Sequence, residues 1–313
     1  MEFRQLRYFA AIAKYGSLSK AAEQVFVAQS ALSHQLAQLE DELGVQLLHR
    51  SRRGAELTEP GRIFLAHATA ILRQVDDARA AVRNLSGEPS GKVVFGVPHS
   101  ASSALALPLL QAVRQTLPKV ELELTEELTG NLIPQLRSGQ LNLAVLFDDG
   151  RLDEFLHAPL VDERLALISP TADGDPPSAP GSAVTLAEAL ALPLILPASP
   201  HGVRPIIEAA ARQQGLPPPN VVAEISSISI LRTSLLAGLG HTLLPTMPLQ
   251  HELAAGSLRM RAVTSPPLSR RVALCASRHI PLSSATSAVW RLTVSLCAEL
   301  ADSSRWEGAS RPR

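Results

Sequence analysis

Apolar residues recur through residues 17–40, SLSKAAEQVFVAQSALSHQLAQLE, at the spacing of two short helices joined by a tight turn. Leu18, Ala21, Ala22 and Val25 form one stripe. Leu32, Leu36, Leu39 and Leu43 form a second, with steps of four, three and four, the helical period. Ser17 can cap the first helix, and Gln29 or Ser30 can open the second. Opposite the leucines stand Gln29, Ser30, Ser33, His34 and Ala37, all small or hydrogen-bonding and none acidic. Such a face can enter the major groove of DNA without bulk or negative charge at its tip. Upstream, Phe3, Leu6, Phe9, Ala10 and Ala13 predict a helix over residues 2–15. Downstream, VQLLHRSRRGAEL over residues 45–57 reads as a hairpin with a basic tip and Gly54 at the turn. Three helices and a hairpin predict a winged helix-turn-helix over residues 1–58.

Thr58-Glu59-Pro60-Gly61 then starts a long helix, with a good cap residue and a proline tolerated in the first turn. Its narrow stripe of Ile63, Ala66, Ala70, Val75, Ala78, Val82 and Leu85 calls for burial against a copy of itself. Residues 59–91 are therefore expected to be a dimerising linker helix that ends in a Ser/Gly/Pro hinge. From residue 92 the pattern changes. KVVFGV, VELELTE and LNLAVLF read as strands separated by helices, a βαβαβ run that implies a parallel sheet. LALISP, PLILP, NVVAEI, HTLLP and RVALCAS continue the alternation up to a helix over residues 284–300. The fold class is α/β, with a C-terminal domain over residues 92–301. Asp173 to Gly181 reads as a surface loop, and residues 302–313 as a polar, disordered tail.

Composition narrows the function. The net charge is zero, and the chain up to Gly91 carries 11 Lys+Arg against 10 Asp+Glu. Binding to a polyanion must come from local clustering, and the dense cluster is His49-Arg50-Ser51-Arg52-Arg53. The two cysteines, Cys275 and Cys297, form no disulfide framework and fit a reduced cytoplasmic setting. No signal peptide or membrane span is expected, and no histidine spacing suits a metal. No cofactor is expected.

The carrying residues Leu6, Phe9, Ser17, Ala21, Ala22, Gln29, Ser30, Ser33, Leu39, Glu40, Leu43, Gly44, Leu47, Arg50, Thr58, Gly61 and Gly91 resemble the pattern of the LysR-type transcriptional regulators over nearly the whole chain. RQLRYFAAIAKYGSLSKAAE, PLLQAVRQTLP, SGQLNLAVLF and AEISSISILRTSLLAGLGHTLLP are similar to the nitrogen-assimilation-control branch. The resemblance implies a sequence-specific regulator of promoter DNA that works as a homodimer or homotetramer. It also implies an effector domain of periplasmic-binding-protein type (type 2), with lobe one at 92–161 and 267–301 and lobe two at 162–266. In the nitrogen-control branch it implies regulation through synthesis rather than through a coinducer.

Candidate DNA contacts are Ser17, Gln29, Ser30, Ser33 and His34, with Arg50, Arg52 and Arg53 at the wing. Gln can bond adenine through two hydrogen bonds, and a serine hydroxyl takes either role. Ser30 can instead serve mainly as a helix cap. His34 stands where the family commonly has arginine, so affinity there can depend on pH. The wing arginines suit phosphate or minor-groove contact, which positions rather than specifies. In the C-terminal domain, helix starts at residues 98–103, 199–202 and 226–227 can converge on one cleft and bind a small anion. Ordinary capping explains the same serines. The effector candidates are Ser100, Ser102, Thr129, His201 and Ser226. The cysteines lie in apolar segments without a basic partner, which favours inert burial over a redox switch. A solute-binding protein of similar two-lobed design would leave the first 90 residues without a use. A hydrolase lacks a G-x-S-x-G elbow, and neither a P-loop nor a dinucleotide fingerprint is present.

Overall fold

The structure is a computed structural model that describes residues 1–51, 54–83, 88–148, 150, 152–171, 182–198 and 202–312. The chain divides into two compact units. One comprises residues 1–87 with a short excursion at 137–140, and the other the remainder.

In the first unit, α1 (Phe3–Tyr15), α2 (Leu18–Gln24) and α3 (Gln29–Leu43) pack around Leu6, Phe9, Ile12, Ala21, Ala22, Leu32, Leu36 and Leu39. The leucine stripe of α3 is buried as its period requires, except for Leu43, which stays partly exposed. β1 (Leu48–Ser51) pairs antiparallel with β2 (Gly54–Leu57) to form the wing. Buried Glu40 ties that wing to α3, because its Oε1 accepts the N–H groups of Leu47 at 2.8 Å and Leu48 at 3.2 Å. Thr58 then caps α4 (Glu59–Arg83), its hydroxyl accepting the Gly61 N–H at 3.0 Å. Gly61 is required there, since a Cβ would collide with the Leu47 carbonyl oxygen. Phe64, Leu65, Ala68 and Leu72 of α4 pack on the same core, while Ile63, Ile71 and Val82 are exposed.

The three short helices end differently. Gly16 and Gly44 close α1 and α3 in the left-handed conformation. At α3 the Val45 and Gly44 N–H groups return to the carbonyls of Glu40 and Asp41, a Schellman closure. α2 makes the same closure, with Val27 N–H to Ala22 O at 3.0 Å and Phe26 N–H to Glu23 O at 3.3 Å. Its left-handed position, φ +58°, is held by Phe26 instead of glycine. An L-residue with a Cβ costs about 1–2 kcal/mol there.

In the second unit, β3 (Gly91–Pro98), α5 (His99–Thr116), β4 (Val120–Glu127), α6 (Thr129–Arg137) and β5 (Leu143–Phe147) form the expected parallel βαβαβ run. β6 (Phe155–Arg164) leads to β7 (Ala166–Pro170), β8 (Ala183–Thr185), α7 (Leu186–Ala191), β9 (Leu194–Leu196) and α8 (Arg204–Gln213). β10 (Val221–Glu224), α9 (Ile228–Leu236), β11 (Thr242–Leu244), α10 (Gln250–Ala254) and β12 (Leu258–Thr264) complete lobe two. The chain returns through β13 (Ser269–Ser277), α11 (Ser284–Asp302) and β14 (Ala309–Ser310). Lobe one is a six-stranded sheet in the order β14-β6-β13-β5-β3-β4, with a core that includes residues of α5 and α11. Lobe two holds the β11-β7-β12-β8 sheet and the parallel β9–β10 pair around its own core.

Two sequence expectations need correction. The crossing between lobes lies after Arg164 rather than after residue 161, because β6 stays paired with β13 as far as Arg164–Ser269. Residues 302–312 are ordered rather than a loose tail. Trp306 is fully buried in the lobe-one core, and Ala309 and Ser310 pair with Glu163 and Asp162 of β6. One tryptophan can bury about 150–250 Å², enough to anchor so short a segment. The expected loop at 173–181 lies outside the described residues.

Candidate functional site

The first candidate surface is the outward side of α3. Gln29, Ser30 and His34 are exposed and Ser33 is half-buried. The N-cap is Ala28, which offers no side-chain acceptor, so the expectation that Ser30 caps the helix is corrected: Ser30 is its second residue. The first-turn N–H groups thus lack a side-chain cap and no acid stands among them, a terminus suited to phosphate. Ser17 caps α2, accepting from Lys20 N–H at 3.5 Å. Gln29 Oε1 accepts from the Ser19 hydroxyl at 3.0 Å, which leaves the Nε2 donors for a partner. A two-bond contact to adenine needs the oxygen as well, so that contact would release Ser19. At the wing, Arg52, Arg53 and the side chain of Arg50 lie outside the described residues. The wing backbone places Arg50 opposite Ala55.

The second candidate is a cleft in the two-lobed unit, with an interior volume of about 40 Å³. The starts of α5, α6 and α9 and the segment before α8 all contribute to its wall, as expected for the converging helix termini. Ser100, Thr129 and Ser226 line it, whereas Ser102 turns back to donate to the His99 carbonyl at 3.1 Å and does not. His201 lies outside the described residues, and Gly202 beside them lines the wall. Ser226 Oγ accepts the Ala198 N–H at 3.3 Å, and His99 Nδ1 lies 2.6 Å from Glu126 Oε1.

Sequence reasoning missed the charge at the floor of this cleft. Arg270 and Glu163 are both fully buried. Arg270 Nε donates to Glu163 Oε2 at 2.7 Å, and its Nη2 lies 2.6 Å from the same oxygen. Nη2 also donates to Ser100 Oγ at 3.0 Å. Trp306 Nε1 donates to the other carboxylate oxygen at 2.9 Å. The guanidinium lies 3.7 Å over the Phe147 ring. Its Nη1 is buried and has no hydrogen-bond partner among the described residues. Burial pulls the Arg270 pKa down, and the charge and hydrogen bonds of Glu163 offset part of that pull. Because Ser100 accepts from Arg270, its own proton is available to another acceptor.

The missing signal was in the register. β13 places Arg270 opposite Glu163 and Arg271 opposite Asp162. Alternation along a strand sends one of two adjacent pairs inward and the other outward. Arg271 and Asp162 are the outward pair, at 2.8 Å.

Cys275 and Cys297 are buried thiols, each pushed up to about 12, chiefly by desolvation. Among the described residues, no cluster of three or more His, Cys, Asp or Glu could hold a metal ion, and no helix is long and apolar enough to cross a membrane.

Two family profiles match the chain. Residues 3–62 match "Bacterial regulatory helix-turn-helix protein, lysR family" and residues 86–298 match "LysR substrate binding domain". The nitrogen assimilation regulatory protein nac of Klebsiella aerogenes is 36% identical over 297 residues, covering 95% of both chains. Its Escherichia coli counterpart is 35% identical with the same coverage. Among solved structures, a full-length OxyR variant from Pseudomonas aeruginosa matches with a TM-score of 0.72 at 23% identity, covering 100% of this chain and 99% of that one. Full-length CbnR complexed with its target DNA matches with a TM-score of 0.65 at 23% identity, covering 95% of this chain and all of CbnR. At that identity the two structures speak for the fold. The profiles and the relatives together show that the chain belongs to the LysR family of DNA-binding transcriptional regulators, in which a winged helix-turn-helix is joined to an effector-binding domain.

Proposed function

We propose that this regulator reads promoter DNA with Gln29, Ser30, Ser33 and His34 of α3, supported by Ser17 and the wing arginines 50, 52 and 53, and answers a small anion in the cleft. Its role is regulatory rather than catalytic, and it acts in the cytoplasm. The exposed stripe of Ile63, Ile71 and Val82 on α4 supports pairing with a second copy, which brings two recognition helices to one operator.

The observation that carries the effector reading is Arg270 Nη1, a buried donor without a partner among the described residues, at a cleft that Ser100, Thr129 and Ser226 also line. A buried donor left unpaired costs free energy, which an incoming acceptor returns. The cleft, of about 40 Å³, suits a small anion such as acetate or phosphate. The narrowness of the cleft also favours a second reading, regulation without a ligand, as for a protein controlled by its own synthesis.

Thermal unfolding in acetate, phosphate and short dicarboxylates separates the two. A concentration-dependent rise in melting temperature that Ser100→Ala and Arg270→Met abolish supports the anion. Equal melting across all anions, in the wild type and both variants, supports the ligand-free reading.

A further inference from the structure

Phe26 stands in the turn between α2 and α3, and folding gives two reasons for another residue there. Its side chain is 94% exposed, while its neighbours Val25 and Val27 pack on the domain core. Its backbone holds the left-handed position of a Schellman closure, the place that glycine takes at the end of α3. A bulky side chain in that conformation is an outlier that calls for a functional reason. Neither packing nor local geometry accounts for the ring.

The position supplies that reason. Phe26 precedes Gln29, the first residue of the recognition helix, by three peptide units, at most about 11 Å of chain. A helix that enters the major groove by its N-terminus carries this turn to the groove with it. The apolar group displayed in that groove is the 5-methyl of thymine, and phenylalanine is among the side chains that contact it. The recognition helix has no charged residue in its first turn, so an apolar contact fits this surface. We propose that Phe26 is a specificity-determining residue that packs on a thymine methyl at the edge of each half-site. This rests on DNA binding by the family fold and adds a contact beyond the polar ones of α3.

The test crosses a protein variant with a DNA variant. Phe26→Asn keeps the turn, since asparagine tolerates the left-handed region, and so separates a lost contact from a lost fold. The full chain is titrated with its own upstream intergenic DNA, with a scrambled duplex, and with copies of the intergenic DNA in which each thymine in turn is replaced by uracil. Phe26→Asn is expected to melt at or above the wild-type temperature and to lose about tenfold in affinity for the intergenic DNA while keeping its affinity for the scrambled duplex. Removing the contacted methyl is expected to weaken the wild type about fourfold and Phe26→Asn not at all. Unchanged affinity in the variant overturns the proposal. So do uracil losses that are the same in both proteins at every position, or equal losses on both duplexes.

Discussion

Replacing Glu163 with glutamine removes the countercharge of a guanidinium with no exposure to water. Arg270 and Glu163 are both 0% exposed, and three donors converge on the carboxylate from Arg270 and Trp306. Breaking a buried pair by removing one partner costs about 3–5 kcal/mol, because the remaining charge stays desolvated. For a domain of this size, about 2–4 °C of melting temperature corresponds to each kcal/mol, so Glu163→Gln is expected to lower it by about 6–20 °C. One step along the same strand lies an internal control. Asp162 and Arg271 are 22% and 39% exposed, and Asp162→Asn is expected to cost at most about 1 kcal/mol. Urea unfolding, followed by the fluorescence of Trp290 and Trp306 at the lobe-one core, measures both. The double variant Glu163→Met with Arg270→Met is expected to recover most of the loss, since neither charge then remains buried. Phosphate is expected to stabilise Glu163→Gln more than the wild type, because it offers the stranded charge a partner at the cleft. A Glu163→Gln variant within about 1 kcal/mol of the wild type would refute the reasoning, and so would an Asp162→Asn variant that loses as much.

Three further outcomes follow from other parts of the molecule. Trp306→Ala is expected to cost about 3–5 kcal/mol in urea unfolding and to expose residues 302–312 to proteolysis, because the core of lobe one loses its anchor and Glu163 a donor. Ile71→Glu on the exposed stripe of α4 is expected to shift the mass measured by light scattering towards the single-chain 33.4 kDa and to weaken operator binding. His241 is held below its ordinary value by burial first and then by Arg261 and Arg259. The unfolded chain therefore takes up the proton first as pH falls, and melting temperature is expected to drop from about pH 7 downward, with a shallower slope in His241→Gln.

Much of this was legible in the sequence, because period and cap chemistry act locally. Leu32, Leu36 and Leu39 are buried as their spacing requires, and the wing and the βαβαβ run follow from short patterns. What escaped depended on distant pairing. β6 runs through Pro159 at a register shift against β13, so it carries no clean strand signature. β12 alternates Leu258, Met260 and Ala262 with Arg259 and Arg261 along the chain, yet Met260 and Ala262 are exposed while Leu258 and Val263 are buried, so its burial does not follow that alternation. Arg270 gives its charge to the cleft floor only because β6 brings Glu163 beside it, and Trp306 joins them from a segment that is otherwise polar. Phe26 sits in the apolar run Val25-Phe26-Val27. Only the left-handed backbone turns it away from Val25 and Val27.

The most direct test of a LysR-type regulator that reads sequence through α3 is a titration of the purified chain on its own upstream intergenic DNA and on a scrambled duplex, over a range of salt. Tighter binding to the intergenic DNA is expected at every salt, with the preference sharply reduced in Gln29→Ala and Ser33→Ala and non-specific binding retained. Equal affinity for both duplexes, or variants that lose both kinds of binding together, would contradict it.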